Sequence, residues 1–131
     1  MQNLEKLNEF RKEFMGKYYK PLTQNEWNFI IYQPGVYVLE LHINQELVGI
    51  IFTHTIQNLT RNVLFIDDLI VDKNYRGMGI GKLLCQQVIK IAKDMEISCV
   101  EVLFKEGNKV KKLYESLGFT DRKNKLYRLY L

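Results

Sequence analysis

The segment between Val63 and Met95 most restricts what this chain can fold into. It opens with the nearly apolar run VLFIDDLIV, which is typical of a central strand buried on both faces. The stretch YRGMGIGK, Tyr75 to Lys82, follows with three glycines in five positions between an arginine and a lysine. An apolar stripe at helical spacing then runs from Ile80 to Met95. Strand, glycine turn and helix in this order predict an α/β unit at the centre of the fold.

The flanking patterns complete that prediction. Apolar residues at helical spacing predict a first helix from Leu4 to Phe14, and the capping-box spacing Thr23-x-x-Glu26 predicts the start of a second. VYVLELHI and LVGIIFTHT predict a hairpin, SCVEVLF a further strand, and LYRLYL a closing strand. The spacing of Val110, Leu113, Tyr114 and Leu117 predicts a helix ended by Gly118. The predicted fold class is α/β, in the mixed α+β sense: a single domain over residues 1–131, with a central mixed sheet flanked by helices.

Length and charge limit the function classes. With 131 residues, of which 47% are hydrophobic, the chain suits one core. The net charge of +4 is spread too evenly for a nucleic-acid-binding stripe, so we expect no nucleic-acid partner. No signal peptide or membrane-spanning run is recognised, so we expect a cytoplasmic protein without a membrane partner.

Cys85 and Cys99 are predicted to be buried free thiols, and no metal site is expected.

The glycine loop fits neither of two common phosphate-binding patterns. A P-loop would need glycine and Ser/Thr where the chain has Arg76 and Leu83, and a dinucleotide fingerprint would need glycine at Lys82 or Leu84. An anion site is still favoured, because a helix that starts near Gly79 leaves its first amides unpaired at the positive end of its dipole.

At this loop the sequence resembles a known family. LIVDKNYRGMGIGKLL is similar to the acyl-CoA-binding segment of the GNAT family of N-acetyltransferases, whose pattern Q/R-x-x-G-x-G/A is filled here by Arg76, Gly79 and Gly81. LYESLGF, Leu113 to Phe119, resembles a second family element at the expected distance. The resemblance covers residues 36 to 131, and the two acids before the apolar triplet look most like the diamine acetyltransferase-like branch.

The resemblance implies acetyl-CoA as cosubstrate and a binding segment for it. The strand end would offer main-chain groups to the pantetheine arm, and the glycine loop would offer amides to the pyrophosphate. The implied cofactor-binding residues are Leu69, Ile70, Val71, Arg76, Gly77, Met78, Gly79, Ile80, Gly81, Lys82 and Asn108. Asn108 stands one residue later than the family's asparagine, whose place Gly107 takes.

Acetyl transfer needs a group that takes a proton from the amine, because a primary amine is almost fully protonated at neutral pH. Asp67 and Asp68 are the only acids in the buried strand, and each is a candidate base. Strict alternation would group Asp67 with Phe65, Leu69 and Val71, and Asp68 with Leu64, Ile66 and Ile70. Tyr114 matches the family tyrosine that donates a proton to the departing thiolate. We interpret His42 and His54 as ordinary sheet residues.

The leading hypothesis is an N-acetyltransferase that moves an acetyl group from acetyl-CoA directly to a small-molecule or peptide amine in a ternary complex. The first alternative is a non-catalytic acyl-CoA-binding or regulatory module that keeps the fold. A small basic nucleic-acid-binding domain is the third, and it predicts strongly salt-dependent binding. The sequence leaves the acceptor and the oligomeric state open, and a homodimer is compatible with it.

Overall fold

The structure, a computed structural model, describes residues 4–105, 107 and 109–131. It contains four α-helices and four β-strands among these residues. Their bounds are α1 Leu4–Met15, α2 Gln24–Ile31, β1 Val36–Ile43, β2 Glu46–Gln57, β3 Asn62–Val71, α3 Ile80–Asp94, β4 Cys99–Val102 and α4 Lys111–Ser116. Single 3₁₀ turns lie at Gly16–Tyr18 and Lys73–Tyr75.

The strands form one mixed sheet in the order β1-β2-β3-β4. The first three are antiparallel neighbours, and β4 is parallel to β3 because α3 carries the chain back between them. The predicted mixed sheet flanked by helices is therefore confirmed.

Helices cover both faces of the sheet, and a different cluster of apolar side chains lies under them on each face. On one face, α3 contributes Leu84, Cys85 and Val88 to a core that also holds Ile51 and Leu64 of the sheet. On the other face, α1 and α2 pack a smaller cluster around Phe10, Trp27 and Ile50. Each helix thus buries one apolar stripe, as its spacing predicts.

The helical layer on the second face is fixed by local hydrogen bonds. The Thr23 side chain accepts from the Glu26 amide, and the Glu26 carboxylate accepts from the Thr23 amide, so the predicted capping box is confirmed. Asn8 of α1 bonds both the carbonyl and the amide of Leu22, at 3.0 and 2.8 Å, and so ties α1 to the start of α2.

Two sequence predictions are wrong. LYRLYL does not form a strand: residues 120–131 carry no regular secondary structure and are all exposed. Alternation is only one requirement of a strand, since a strand also needs a neighbour for its backbone hydrogen bonds, and the described part of the chain supplies none here. Cys99 is exposed rather than buried, because it opens the edge strand β4, whereas Cys85 is buried as predicted.

A helix that crosses a bilayer must be long enough and apolar enough to span the hydrocarbon core. Within the described residues, no helix is long and apolar enough to cross a membrane.

Candidate active site

The central strand β3 separates from β4 half-way along its length. The two strands pair only from Val63–Cys99 to Ile66–Val102. Beyond Ile66, β3 continues for five more residues to Val71 with its β2 partner on one side. Its backbone on the other side faces the opening left by β4. An extended ligand can therefore take the position of an added strand along residues 67–71.

A β-bulge lies where the strands part. Phe52 of β2 is opposite Asp68, but its neighbour Thr53 is opposite Ile66, so Asp67 is the extra residue. Cross-strand partners share a face, which puts Asp68 on the side of Phe52 and not on the side of Ile66.

The bulge corrects the grouping expected from strict alternation. Leu69 and Val71 pack with Leu64 on the α3 face, while Ile70 packs with the α1–α2 cluster. Asp67 instead contacts His54, next to Phe65, and therefore lies on the α1–α2 side with Asp68. The inserted residue shifts the alternation of side chains between the two faces of the sheet by one position, so both aspartates lie on one face.

Asp67 is held by a histidine. Nδ1 of His54 lies 2.5 Å from Oδ2 of Asp67, and the His54 ring packs beside Phe65 with 5.7 Å between ring centroids. The expectation that His54 is an ordinary sheet residue overlooked this contact. No local signal indicates it, because His54 and Asp67 are 13 positions apart and meet only through the β2–β3 register.

The environment of Asp68 changes its acidity. Partial desolvation of its carboxyl, together with the neighbouring Asp67, raises the pKa of Asp68 above its ordinary value although the residue is exposed, and Arg11 of α1 partly offsets this. The Arg11 guanidinium is positioned by Asn8 at 3.1 Å and by the carbonyl of Lys20 at 2.7 Å. A carboxyl with a raised pKa holds a proton more readily than an ordinary one.

The glycine loop leads directly from β3 into α3. Gly77 and Gly79 have φ values of +79° and +82°, a region that residues with a Cβ rarely adopt. A Cβ at either position would meet no atom within 4 Å, so the backbone conformation and not crowding demands glycine there. The first helical hydrogen bond runs from the Leu83 amide to the Gly79 carbonyl. The amides before it point out of the helix N-terminus, and the side chains of Met78 and Lys82 beside it are exposed.

The Arg76 guanidinium binds partners outside the glycine loop. Its Nε donates to the carbonyl of Val71 at 3.0 Å, and an Nη atom donates to Glu13 of α1 at 3.0 Å. The guanidinium thus connects α1 to the end of β3.

An ion pair between the buried Asp72 and the half-buried Lys6 fixes the junction between β3 and the loop. Asp72 is 4% exposed, and its carboxylate lies 2.8 Å from Lys6 Nζ and accepts from the Asn74 amide at 2.9 Å. The hydrogen bond from Lys6 and that from the Asn74 amide lower the pKa of Asp72. No sequence pattern indicates this pair, because Lys6 and Asp72 are brought together only when α1 packs on the sheet.

Tyr114 lies where β4 turns away from β3. Its ring stacks on Phe104, just after β4, and meets Phe119 edge to face, with 5.4 Å between ring centroids in both pairs. The residue before it, Leu113, lies 3.5 Å from where a Cβ of Gly81 would stand. Burial, with a further contribution from Cys85, raises the pKa of Tyr114 above its usual range, so its hydroxyl stays protonated at neutral pH.

Two further expectations concern Asn108 and metal ligands. Asn108 lies outside the described residues. Within the described ranges, no group of three or more His, Cys, Asp or Glu side chains is placed to hold a metal ion.

These features can be compared with known proteins. A model of the Acetyltransferase (GNAT) family matches residues 4–119. The chain belongs to the GNAT family. The match includes α1 and α2, which lie before the part where the sequence resemblance was recognised, and it ends at Phe119, before the exposed C-terminal segment.

Three similar proteins illustrate the family. A glucosamine 6-phosphate N-acetyltransferase from Trypanosoma brucei brucei is 37% identical over 59 residues, which are 45% of this chain and 39% of that enzyme. The matched segment thus spans well under half of the relative's length. A Trypanosoma brucei acetyltransferase structure superposes with a TM-score of 0.83 at 25% identity, covering 99% of this chain and 94% of the other. An aminoglycoside acetyltransferase from an uncultured soil metagenomic sample, in complex with trehalose, gives 0.84 at 20% identity, with coverages of 99% and 90%, and shows the shared fold.

The family is therefore known, and the branch is not. None of these three relatives points to the diamine acetyltransferase-like branch, so that part of the sequence interpretation stays a prediction.

Proposed function

We propose that this GNAT protein transfers an acetyl group from acetyl-CoA to a primary amine, by direct attack in a ternary complex. The observation that carries the proposal is the opening between β3 and β4. Residues 67–71 of β3 keep β2 as a neighbour on one side and leave a strand edge unpaired on the other, which supports a site for an extended cosubstrate.

The cosubstrate is proposed to run along the free edge of β3. The pantetheine amides pair with the backbone of Leu69–Val71, as a short added strand. The pyrophosphate lies at the amides of Gly77–Lys82, where positive-φ glycines and the N-terminus of α3 favour an anion. Lys82, which is exposed beside this loop, adds charge. Arg76 acts by holding the end of β3, since its guanidinium is bound to Val71 and Glu13.

Asp68 is proposed as the base, and Asp67 as the residue that positions it. The raised pKa of Asp68 makes its carboxylate a better proton acceptor than an ordinary aspartate. Asp67 is already bound to His54. Its negative charge next to Asp68 contributes to that raised pKa, so the two acids have different roles.

Tyr114 is proposed to donate a proton to the departing CoA thiolate. Its hydroxyl stays protonated at neutral pH, as a general acid requires. Burial raises the pKa of the neighbouring Cys85 to about 11, so this thiol is protonated at neutral pH and is a poor nucleophile. An acetyl-enzyme on Cys85 is therefore disfavoured, and both cysteines are expected to be dispensable for turnover.

The acceptor is proposed to enter from the α1–α2 side, because Asp67 and Asp68 lie on that face. Two carboxylates attract a cationic amine and repel an anionic acceptor. The curated relative is named for an amino-sugar phosphate and one structural neighbour for aminoglycosides. Small polyamines, amino sugars and peptide amines form the panel to be tested.

Turnover of acetyl-CoA with this amine panel, read by release of free thiol, tests the proposal. Tyr114→Phe is the diagnostic variant, since it removes one hydroxyl and keeps the ring that packs on Phe104 and Phe119. We expect kcat to fall roughly 10²-fold with unchanged acetyl-CoA affinity. Acetyl-CoA binding without turnover for any amine would favour the alternative of a non-catalytic acyl-CoA-binding module.

A further inference from the structure

The imidazole of His54 lies beside the two acids of β3 and is unused by the proposed reaction. The β2–β3 register places His54 opposite Phe65, and the bulge leaves Asp67 without a cross-strand partner of its own. His54 reaches diagonally to this extra residue, and its Nδ1 lies 2.5 Å from Oδ2 of Asp67. The ring therefore holds the carboxylate that the bulge inserts.

The contact with Asp67 decides which ring nitrogen of a neutral His54 carries the proton. The oxygens of an ionised carboxylate only accept hydrogen bonds, so Nδ1 is the donor. The other nitrogen, Nε2, then has no proton and presents a lone pair. A carboxylate behind an imidazole in this way fixes its tautomer and stabilises the imidazolium that forms when Nε2 takes a proton.

His54 lies on the side of the sheet where the acceptor is proposed to enter. Alternation along β2 places it with Ile50, which packs in the α1–α2 cluster. The His54 side chain is 37% exposed, whereas the neighbouring Thr53 is fully buried. Water or a bound amine can therefore reach the ring.

Charged groups of the neighbouring elements on this side have partners of their own. Glu40 of β1 contacts His42 at 2.9 Å. Arg11 of α1 is held by Asn8, and Glu26 of α2 is bound in the cap of its helix. The lone pair on Nε2 is thus set by the carboxylate that lies against the ring.

Acetyl transfer removes two protons from the acceptor nitrogen. A primary amine, with a pKa of about 10.4, enters with three protons at neutral pH, and the amide product keeps one. Asp68, as proposed, takes the first proton and frees the lone pair for attack. The second proton leaves after the nitrogen–carbon bond has formed, when Asp68 already holds the first. The reaction therefore calls for a second proton acceptor on the same side of the sheet.

We propose that Nε2 of His54 is this second acceptor and that Asp67 orients its ring, an inference that rests on the proposed acetyl transfer. The amine nitrogen bonds to the acetyl carbon, the carbon–sulfur bond breaks with its electron pair on sulfur, and Tyr114 gives sulfur a proton. Nε2 takes the second proton from nitrogen directly or through one water. Of the protons then held by Asp68 and His54, one restores Tyr114 through solvent and the other is released.

Chemical rescue of His54→Ala tests the role of the imidazole. Because the side chain is partly exposed, its removal leaves an opening that added imidazole can enter. With the most active amine of the panel, kcat should fall roughly 10²-fold, while acetyl-CoA affinity stays unchanged. Added imidazoles should restore part of the rate, and the restored rate should rise with their basicity. His42→Ala is the matched control, and it should keep its full rate and show no response to imidazole.

His54→Asn separates proton transfer from a merely structural role. The asparagine amide can still donate to Asp67, but it has no basic nitrogen. This variant should therefore fold like the unaltered chain and still be as slow as His54→Ala. A structural role predicts the opposite, a near-normal rate in His54→Asn.

The tautomer of His54 gives a reading that is independent of turnover. Long-range proton–nitrogen correlation spectra, recorded well above pH 6.5, the ordinary pKa of histidine, should show the ring proton on Nδ1. Asp67→Ala should remove this preference, while the signals of His42 stay unchanged. A proton on Nε2 of His54 in the unaltered chain contradicts the orientation by Asp67.

The outcomes separate this proposal from acetyl transfer itself. Absence of turnover by the unaltered chain with every amine contradicts acetyl transfer and the role of His54 with it. Normal turnover by the unaltered chain together with a full rate in His54→Ala or His54→Asn overturns the role of His54 alone. A slow His54→Ala that no imidazole rescues, or that all imidazoles rescue alike, also overturns it.

Discussion

The two halves of β3 differ although they belong to one continuous strand. Residues 63–66 are paired on both sides and contribute Val63, Leu64 and Ile66 to the buried core. Residues 67–71 are paired on one side only and begin with two aspartates at a bulge. The first half is built like the core of an ordinary sheet. The second half lacks β4 as a neighbour and lacks the regular alternation of side chains between the two faces of the sheet. Its local stability is therefore lower, and its backbone and the two carboxylates are accessible.

Leu64→Ala should show the largest effect, on stability. Leu64 is 1% exposed in the doubly paired half, so its truncation leaves a cavity that costs about 3–4 kcal/mol. Leu69→Ala, in the half-paired part where the side chain is partly buried, is the matched control and should cost about 1–2 kcal/mol. Urea denaturation with constant m-values measures both. Equal losses would mean that the two halves contribute alike to the fold.

Asp68→Asn should lower turnover about as much as Tyr114→Phe. Loss of the proposed base should lower kcat roughly 10²-fold near neutral pH. Part of this loss should be recovered as pH rises toward the pKa of the amine, about 10.4, because the free amine then no longer needs a base. Asp67→Asn is the companion variant and should show a smaller loss without this recovery. The roles are reversed if Asp67→Asn alone shows the pH-dependent rescue.

Asp72→Asn tests the ion pair that holds the end of the open half. It removes the carboxylate nearest to the half-buried Lys6, which keeps Glu46 at 3.1 Å, and should cost about 1–3 kcal/mol at neutral pH. The folded-state pKa of Asp72 is lowered, so the carboxylate stabilises the fold fully above its unfolded value of about 3.9, and this is lost as pH falls through the lower folded value. The stability difference from the unaltered chain should therefore shrink below about pH 4. A stability difference between the two proteins that is constant from pH 7 to pH 3 contradicts a stabilising role of the ionised Asp72 carboxylate.

Gly79→Val should have the smallest of these effects, on cosubstrate binding. It strains a backbone position with a φ of +82° and should weaken acetyl-CoA binding about tenfold, or about 1.4 kcal/mol, by calorimetry. Gly16→Val is a suitable control, since Gly16 also has a positive φ and open space around its Cβ but lies far from the loop in sequence. Gly16→Val should strain the backbone at position 16 without changing the affinity for acetyl-CoA. Unchanged affinity in a folded Gly79→Val protein would remove the glycine loop from the proposed site.

Much of the fold follows from short-range patterns in the sequence. The capping box at Thr23, the hairpin, the apolar strand and the amphipathic α3 all appear where local spacing predicts them. The resemblance also led to the right family, which the match over residues 4–119 confirms. These features depend on residues within a few positions of each other, where helical and strand periodicities are direct consequences of backbone geometry.

The sequence by itself determined the elements, the glycine turn and the presence of two acids in the central strand. Only the tertiary structure decided that the bulge puts Asp67 and Asp68 on one face, that His54 meets Asp67, and that Lys6 meets Asp72. It also showed that the strand-like pattern of LYRLYL finds no partner within the described chain. The physical reason is the same in each case: strand register, ion pairs and strand formation depend on which distant segments become neighbours, and no local period encodes that choice.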